Sequence, residues 1–165
     1  MDGAGKFKVV RFTILGVVLL LIAFGLNENS KWNRDERFIQ EYFLLFEEDS
    51  IVTAMVSRHE TDLPEISVDI LDTKLLKSLL SIIQAKENLS LTKMKNDSKA
   101  GTVASETIFI RAENGAELLL KTWDQSNFAI ITDREHQLRD HYTLFLPMLY
   151  NEVISPALNT MKDIQ

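Results

Sequence analysis

Polar and apolar positions divide the chain into segments of distinct period. Residues 12–26, FTILGVVLLLIAFGL, are uncharged, and Lys6, Lys8 and Arg11 stand just before them. At about 1.5 Å per helical residue this run covers roughly 22 Å, short of the roughly 30 Å hydrocarbon core of a bilayer. Carried back to Val9, with Arg11 reaching to the headgroups, it comes closer to that length. The run predicts a signal anchor, a transmembrane helix over 12–26. A secretory signal cut after Ala23-Phe24-Gly25 is the alternative. Residues 27–37, polar throughout except Trp32, read as a juxtamembrane linker.

From Phe38 the apolar positions Phe38, Ile39, Tyr42, Phe43, Leu45 and Phe46 recur as one broad face of an amphipathic helix. These aromatics are expected to seed a core, and a docking face for another membrane protein is the functional alternative. Glu47-Glu48-Asp49-Ser50 closes that element. Residues 51–58 and 65–70 read as two strands of a hairpin. Asp72 or Thr73 then caps a helix in which Leu75, Leu76, Leu79, Leu80, Ile82 and Ile83 repeat at three- and four-residue spacing. Residues 89–95 alternate like a half-buried strand, and 96–105 read as a loop.

Residues 106–112 and 116–123 are joined by Glu113-Asn114-Gly115, where Asn-Gly supplies the positive φ angles of a tight hairpin. A turn at 124–127 and a strand at 128–132 complete a three-stranded antiparallel meander over 106–132. A polar connector, 133–140, precedes a C-terminal amphipathic helix from Tyr142 onward, interrupted near Pro147 and Pro156. The fold class is therefore α+β. A transmembrane helix precedes one domain, 38–165, with an antiparallel sheet of about five or six strands packed by helices.

Composition narrows this picture. The 165 residues are 45% hydrophobic and 25% charged, with 6 Gly and 3 Pro, which excludes collagen-like and wholly disordered chains. The absence of cysteine removes disulfides, thiolate metal sites and a cysteine nucleophile. Net charge is −6 overall but −8 over residues 27–165. Such a body repels phosphate backbones, so no nucleic-acid partner is expected. Lys31, Arg34 and Arg37 after the span nearly balance the three basic residues before it. The closeness of Arg11 tips the orientation to a cytoplasmic tail, 1–11, and an extracytoplasmic domain at the cell membrane.

Candidate chemistry is sparse. There is no HExxH, P-loop, G-x-S-x-G or G-x-G-x-x-G pattern. Asp133, Glu135, His136, Asp140 and His141 crowd together but read as a solvated connector, and no metal or cofactor is expected. His59, beside Glu60 and Asp62, reads the same way. Glu47, Glu48, Asp49, Asp69 and Asp72 read as solvated surface rather than paired catalytic carboxylates. Asn88 and Asn96 begin N-x-S sequons. Phe109, Leu119 and Trp123 fall on the outer side of the meander, where the terminal helices are expected to cover them; an exposed apolar patch is the alternative. The expected partner-binding residues are Phe38, Tyr42, Phe43, Phe46 and Trp123, the partner being another envelope protein. The leading reading is a non-enzymatic, single-pass binding or scaffolding protein. A small metal-dependent hydrolase using His136 and His141, or a small-ligand module, are the rivals.

Overall fold

The computed structural model describes residues 3–60, 65–85, 90–94, 105–138 and 141–160, with side chains in the first helix from Gly16 onward. The chain divides into two compact units, Met1–Arg37 and Phe38–Gln165. The first helix, α1 (Gly3–Phe43), provides the described part of the first unit, and its last turns belong to the second. Residues 27–37, expected to be a linker, are helical. No Gly or Pro occurs between Gly25 and Pro64, so nothing in the sequence breaks the helix there.

The expected span 12–26 lies only partly within the residues whose side chains are described. Among the described residues no helix is long and apolar enough to cross a membrane. The part of the run from Gly16 to Leu26 covers roughly 16 Å, about half a hydrocarbon core, and the helix turns polar at Asn27. What the helix does present is apolar surface on every side. Val17, Val18, Leu19, Leu20, Leu21, Ile22, Phe24 and Leu26 are all exposed.

The second unit is α+β, and its described residues form one seven-stranded antiparallel sheet rather than one of five or six strands. The strands are β1 (Ile51–His59), β2 (Ile66–Asp69), β3 (Leu91–Lys93), β4 (Ser105–Ala112), β5 (Glu117–Thr122), β6 (Asn127–Thr132) and β7 (Tyr142–Phe145), in the order β2-β1-β4-β5-β6-β7-β3. The strand missed in the sequence is β7. Tyr142 and Leu144 are buried at period two, and a helix begins only at Pro147, whose fixed φ suits a first helical position. The meander is β4-β5-β6. Residues 61–64 of the first hairpin, Asn88, Asn96 and Asp140 lie outside the described residues.

Pairing register sorts the strands into two faces. Val56, Ile108, Leu120 and Ile130 stand side by side across four strands, as do Ala54, Ile110, Leu118 and Thr132. Of these, Val56, Ile108, Ile110, Leu118 and Leu120 are fully buried, each contributing about 1.5–3 kcal/mol of burial free energy. The helical layer over this face consists of the end of α1, then α2 (Thr73–Gln84), then a C-terminal helix built as α3 (Pro147–Leu149), a π-helical segment (Tyr150–Ile154) and α4 (Ser155–Asn159). Asp72 caps α2 by accepting from the Lys74 N–H at 2.8 Å. Pro156 has no N–H to continue an α-type ladder, which is the local reason for the π-helical turn before it.

The end of α1 is fixed by borrowed donors. A helix leaves its last carbonyls without intrahelical partners. Here Gln84 Nε2 of α2 donates to Phe43 O at 3.1 Å and to Phe46 O at 2.8 Å, and Asn114 Nδ2 of the β4–β5 turn donates to Leu45 O at 3.1 Å. The same Asn114 accepts from the Ala116 N–H, and Gly115 takes φ +81°, the left-handed value that favours glycine. A Gln84→Ala variant removes both bonds at once, taking the side-chain donor from Phe46 O and leaving Phe43 O with the Phe46 N–H at 3.3 Å. It is expected to lose about 1 to 3 kcal/mol of stability, read as a lowered urea midpoint with unchanged m value.

Candidate functional site

The aromatic run of α1 folds inward. Tyr42, Phe43 and Phe46 are 2%, 1% and 0% exposed, so three of the five residues expected to meet a partner are core side chains of this unit. Phe38 is half-buried and stacks at 5.8 Å on Tyr42, which meets Phe46 edge-on at 5.6 Å. Trp123 is half-buried on the sheet, under the Lys121 ammonium at 5.2 Å.

Tyr42 is the polar pin of this cluster. Its hydroxyl donates to Glu117 O at 2.7 Å and also contacts Asp133 Oδ1, so its single proton is shared between the two acceptors. Asp133 Oδ1 accepts from the Glu117 N–H at 3.3 Å, and the Arg134 guanidinium lies 6.0 Å from the centre of the Tyr42 ring. The Tyr42 phenol is pushed well above its ordinary value, first by burial and then by the Asp133 carboxylate. The Asp133 carboxyl is held below its ordinary value, first by the Tyr42 hydroxyl; burial opposes this, and the Glu117 N–H and the Arg134 charge assist. A phenol held protonated against a carboxylate held ionised transfers no proton near neutral pH. The pair is a structural fastening rather than an acid–base couple.

A second tight carboxylate organises the β5–β6 turn. Asp124 accepts from the Ser126 N–H at 3.0 Å and the Asn127 N–H at 2.7 Å, while Gln125 takes φ 65°. Burial raises the Asp124 pKa, but the hydrogen bonds from Asn127, Ser126 and Thr122 outweigh it and leave the group lowered. The arrangement closes a turn.

Among the described residues of this unit, two surfaces combine apolar and charged side chains in the open. On the face of the sheet away from the helices, Met55, Phe109, Leu119 and Ile131 form one cross-strand apolar row. The first three are half-buried and Ile131 is 39% exposed. Arg111 brackets the row, 5.6 Å from the Phe109 ring and bonded to Glu117 at 2.6 Å. The terminal helices expected over Phe109, Leu119 and Trp123 gather instead on the opposite face. Ile108, Ile110, Leu118 and Leu120, the fully buried apolar centre of the even-numbered positions, claim that cover. The other surface is an open cleft of about 610 Å³ between the end of α1 and α2, lined by Leu44, Phe46, Glu47, Glu48, Lys77, Leu80, Ser81 and Gln84. Lys77 Nζ lies 3.5 Å from Glu48 Oε1 across it.

His141 Nδ1 pairs with Glu135 at 2.8 Å, and among the described residues no group of three or more His, Asp or Glu is placed to hold a metal ion. Nothing in the sequence pointed to the cleft, since Glu47 and Glu48 read as the end of a helix and as solvated surface. No protein-family model, curated protein or solved structure matches the chain.

Tyr42→Phe keeps the ring and removes the hydroxyl. It is expected to cost about 1 to 2 kcal/mol near neutral pH. Because the folded-state pKa of Asp133 is depressed, its stabilisation is complete above the unfolded carboxylate value, near 3.9, and is lost as pH falls through the lower folded value. The penalty of Tyr42→Phe, measured by denaturation from pH 7 down to pH 2, therefore shrinks toward the acid end. A penalty that stays constant over that range would separate Tyr42 from Asp133.

Proposed function

We propose that this chain is a membrane-tethered, non-enzymatic binding or scaffolding protein of the cell envelope, with α1 as the tether and the α+β unit on the extracytoplasmic side. One observation carries the reading: eight large apolar side chains between Val17 and Leu26 are exposed on all sides of a single helix. A helix that is apolar all round calls for an apolar environment on every side, and a bilayer supplies one. Lys6, Lys8 and Arg11 at one end favour retention of that end at the cytoplasmic headgroups. The partner in this reading is another envelope protein. Of the residues first expected to meet it, Trp123 and Phe38 keep accessible surface, and the Met55-Phe109-Leu119-Ile131 row extends the Trp123 face. The non-enzymatic reading is supported by the fastening role of the Tyr42–Asp133 pair, whose shifted proton affinities hold the proton on the phenol.

The test is expression of the full chain in a bacterium, with membrane fractionation, intact mass and protease added to spheroplasts. The expected result is a full-length mass in the membrane pellet and digestion of the region beyond residue 38. A soluble product whose mass begins near Leu26 would overturn the tether. The double variant Leu20→Lys, Leu21→Lys, at about 2.5–3.5 kcal/mol per charge at a helix centre, is expected to shift the chain out of the pellet.

A further inference from the structure

The cleft between the end of α1 and α2 has a polarity that its shape alone does not require. Its floor is apolar: Phe46 is 0% and Leu80 7% exposed, and Leu44 projects at the mouth at 63%. Its volume, about 610 Å³, falls within the roughly 300–1,000 Å³ of sites that take small ligands or single side chains. The polar groups around that floor are nearly all acceptors. Gln84 spends both hydrogens of its amide on Phe43 O and Phe46 O, so what it has left to offer is its carbonyl oxygen. Glu47 and Glu48 supply carboxylates and Ser81 a hydroxyl. Lys77, the cation in this lining, is already engaged with Glu48 at 3.5 Å. The lining is therefore net negative. An anion is repelled by it, and a neutral apolar group would cover the carboxylates without pairing them, at a desolvation cost.

What satisfies both floor and rim is a cation carried on an apolar stem. We propose that this cleft receives a lysine side chain from a basic, leucine-flanked segment of a partner protein. The methylene stem packs on Leu44 and the exposed edge of Leu80, the ammonium reaches Glu47, Glu48 and the Gln84 carbonyl oxygen, and a flanking leucine extends the contact over the rest of Leu44. The net charge of −8 over residues 27–165 favours the approach of such a segment. The inference concerns the second unit alone and does not depend on membrane tethering.

The experiment follows backbone amide shifts of the full chain in non-ionic micelles. Four probes are titrated: acetyl-Leu-Lys-Leu-amide, the same peptide with Met in place of Lys, butylammonium and butanoate. The lysine peptide is expected to give saturable shifts at Leu44, Lys77, Leu80, Ser81 and Gln84, with higher affinity than butylammonium. The methionine peptide and butanoate are expected to give none. The double variant Glu47→Gln, Glu48→Gln, at two accessible positions, should weaken the lysine peptide about ten-fold with dispersion of the spectrum unchanged. Lys77→Met, which frees Glu48, should tighten it. Equal binding of the methionine peptide or butanoate would overturn the charge argument. Butylammonium binding as tightly as the peptide would overturn the protein partner in favour of a small amine. An absence of shifts at these residues, or an affinity unmoved by the glutamine variant, would overturn the site.

Discussion

A helix that ends inside a folded unit carries a debt of unpaired carbonyl groups, and the arrangement around residues 42–46 is organised by how that debt is met. Gln84 reaches from α2, Asn114 from the β4–β5 turn, and Tyr42 fastens the last turn of α1 to the adjoining ends of β5 and β6. Each of these contacts joins two elements that are remote in sequence. Together they fix where α1 stops, where α2 lies beside it and how the hairpin turn closes, and the cleft is the space those three decisions leave. The aromatic side chains then fill the interior behind the fastened end.

Local chemistry made much of this legible. The Asn114-Gly115 turn, the Asp72 cap and the leucine and isoleucine spacing of α2 are decided within a few residues, and each stands where its pattern placed it. The alternation of 106–132 likewise carries its own pairing. The strand count fell short where two patterns overlapped. Tyr142, Leu144 and Leu146 satisfy a period of two, yet Phe145, Leu149 and Val153 extend the same stretch at helical spacing, so the helix absorbed β7. Residues 27–37 are polar, but polarity does not end a helix, and this stretch, expected as a linker, continues α1 as far as the second unit.

The functional surfaces were less legible for a physical reason. Whether Phe43 is an anchor in the core or a docking residue depends on what packs against it, and that is settled by α2 and by strands more than 60 residues away. Which face of the meander is covered is equally non-local, because both faces of β5 carry leucine. Glu47 and Glu48 gain meaning only when Lys77 and Gln84 stand opposite them.

The Tyr42–Asp133 fastening joins residues 91 positions apart in the chain. At synthesis rates of about 5 to 20 residues per second, the last turn of α1 is made roughly 5 to 18 s before the carboxylate that secures it exists. During that interval Tyr42, Phe43 and Phe46 have no sheet to cover them. The unit therefore assembles late, around its own oldest segment, and the nascent chain must keep three aromatic side chains from finding other company until β6 has emerged.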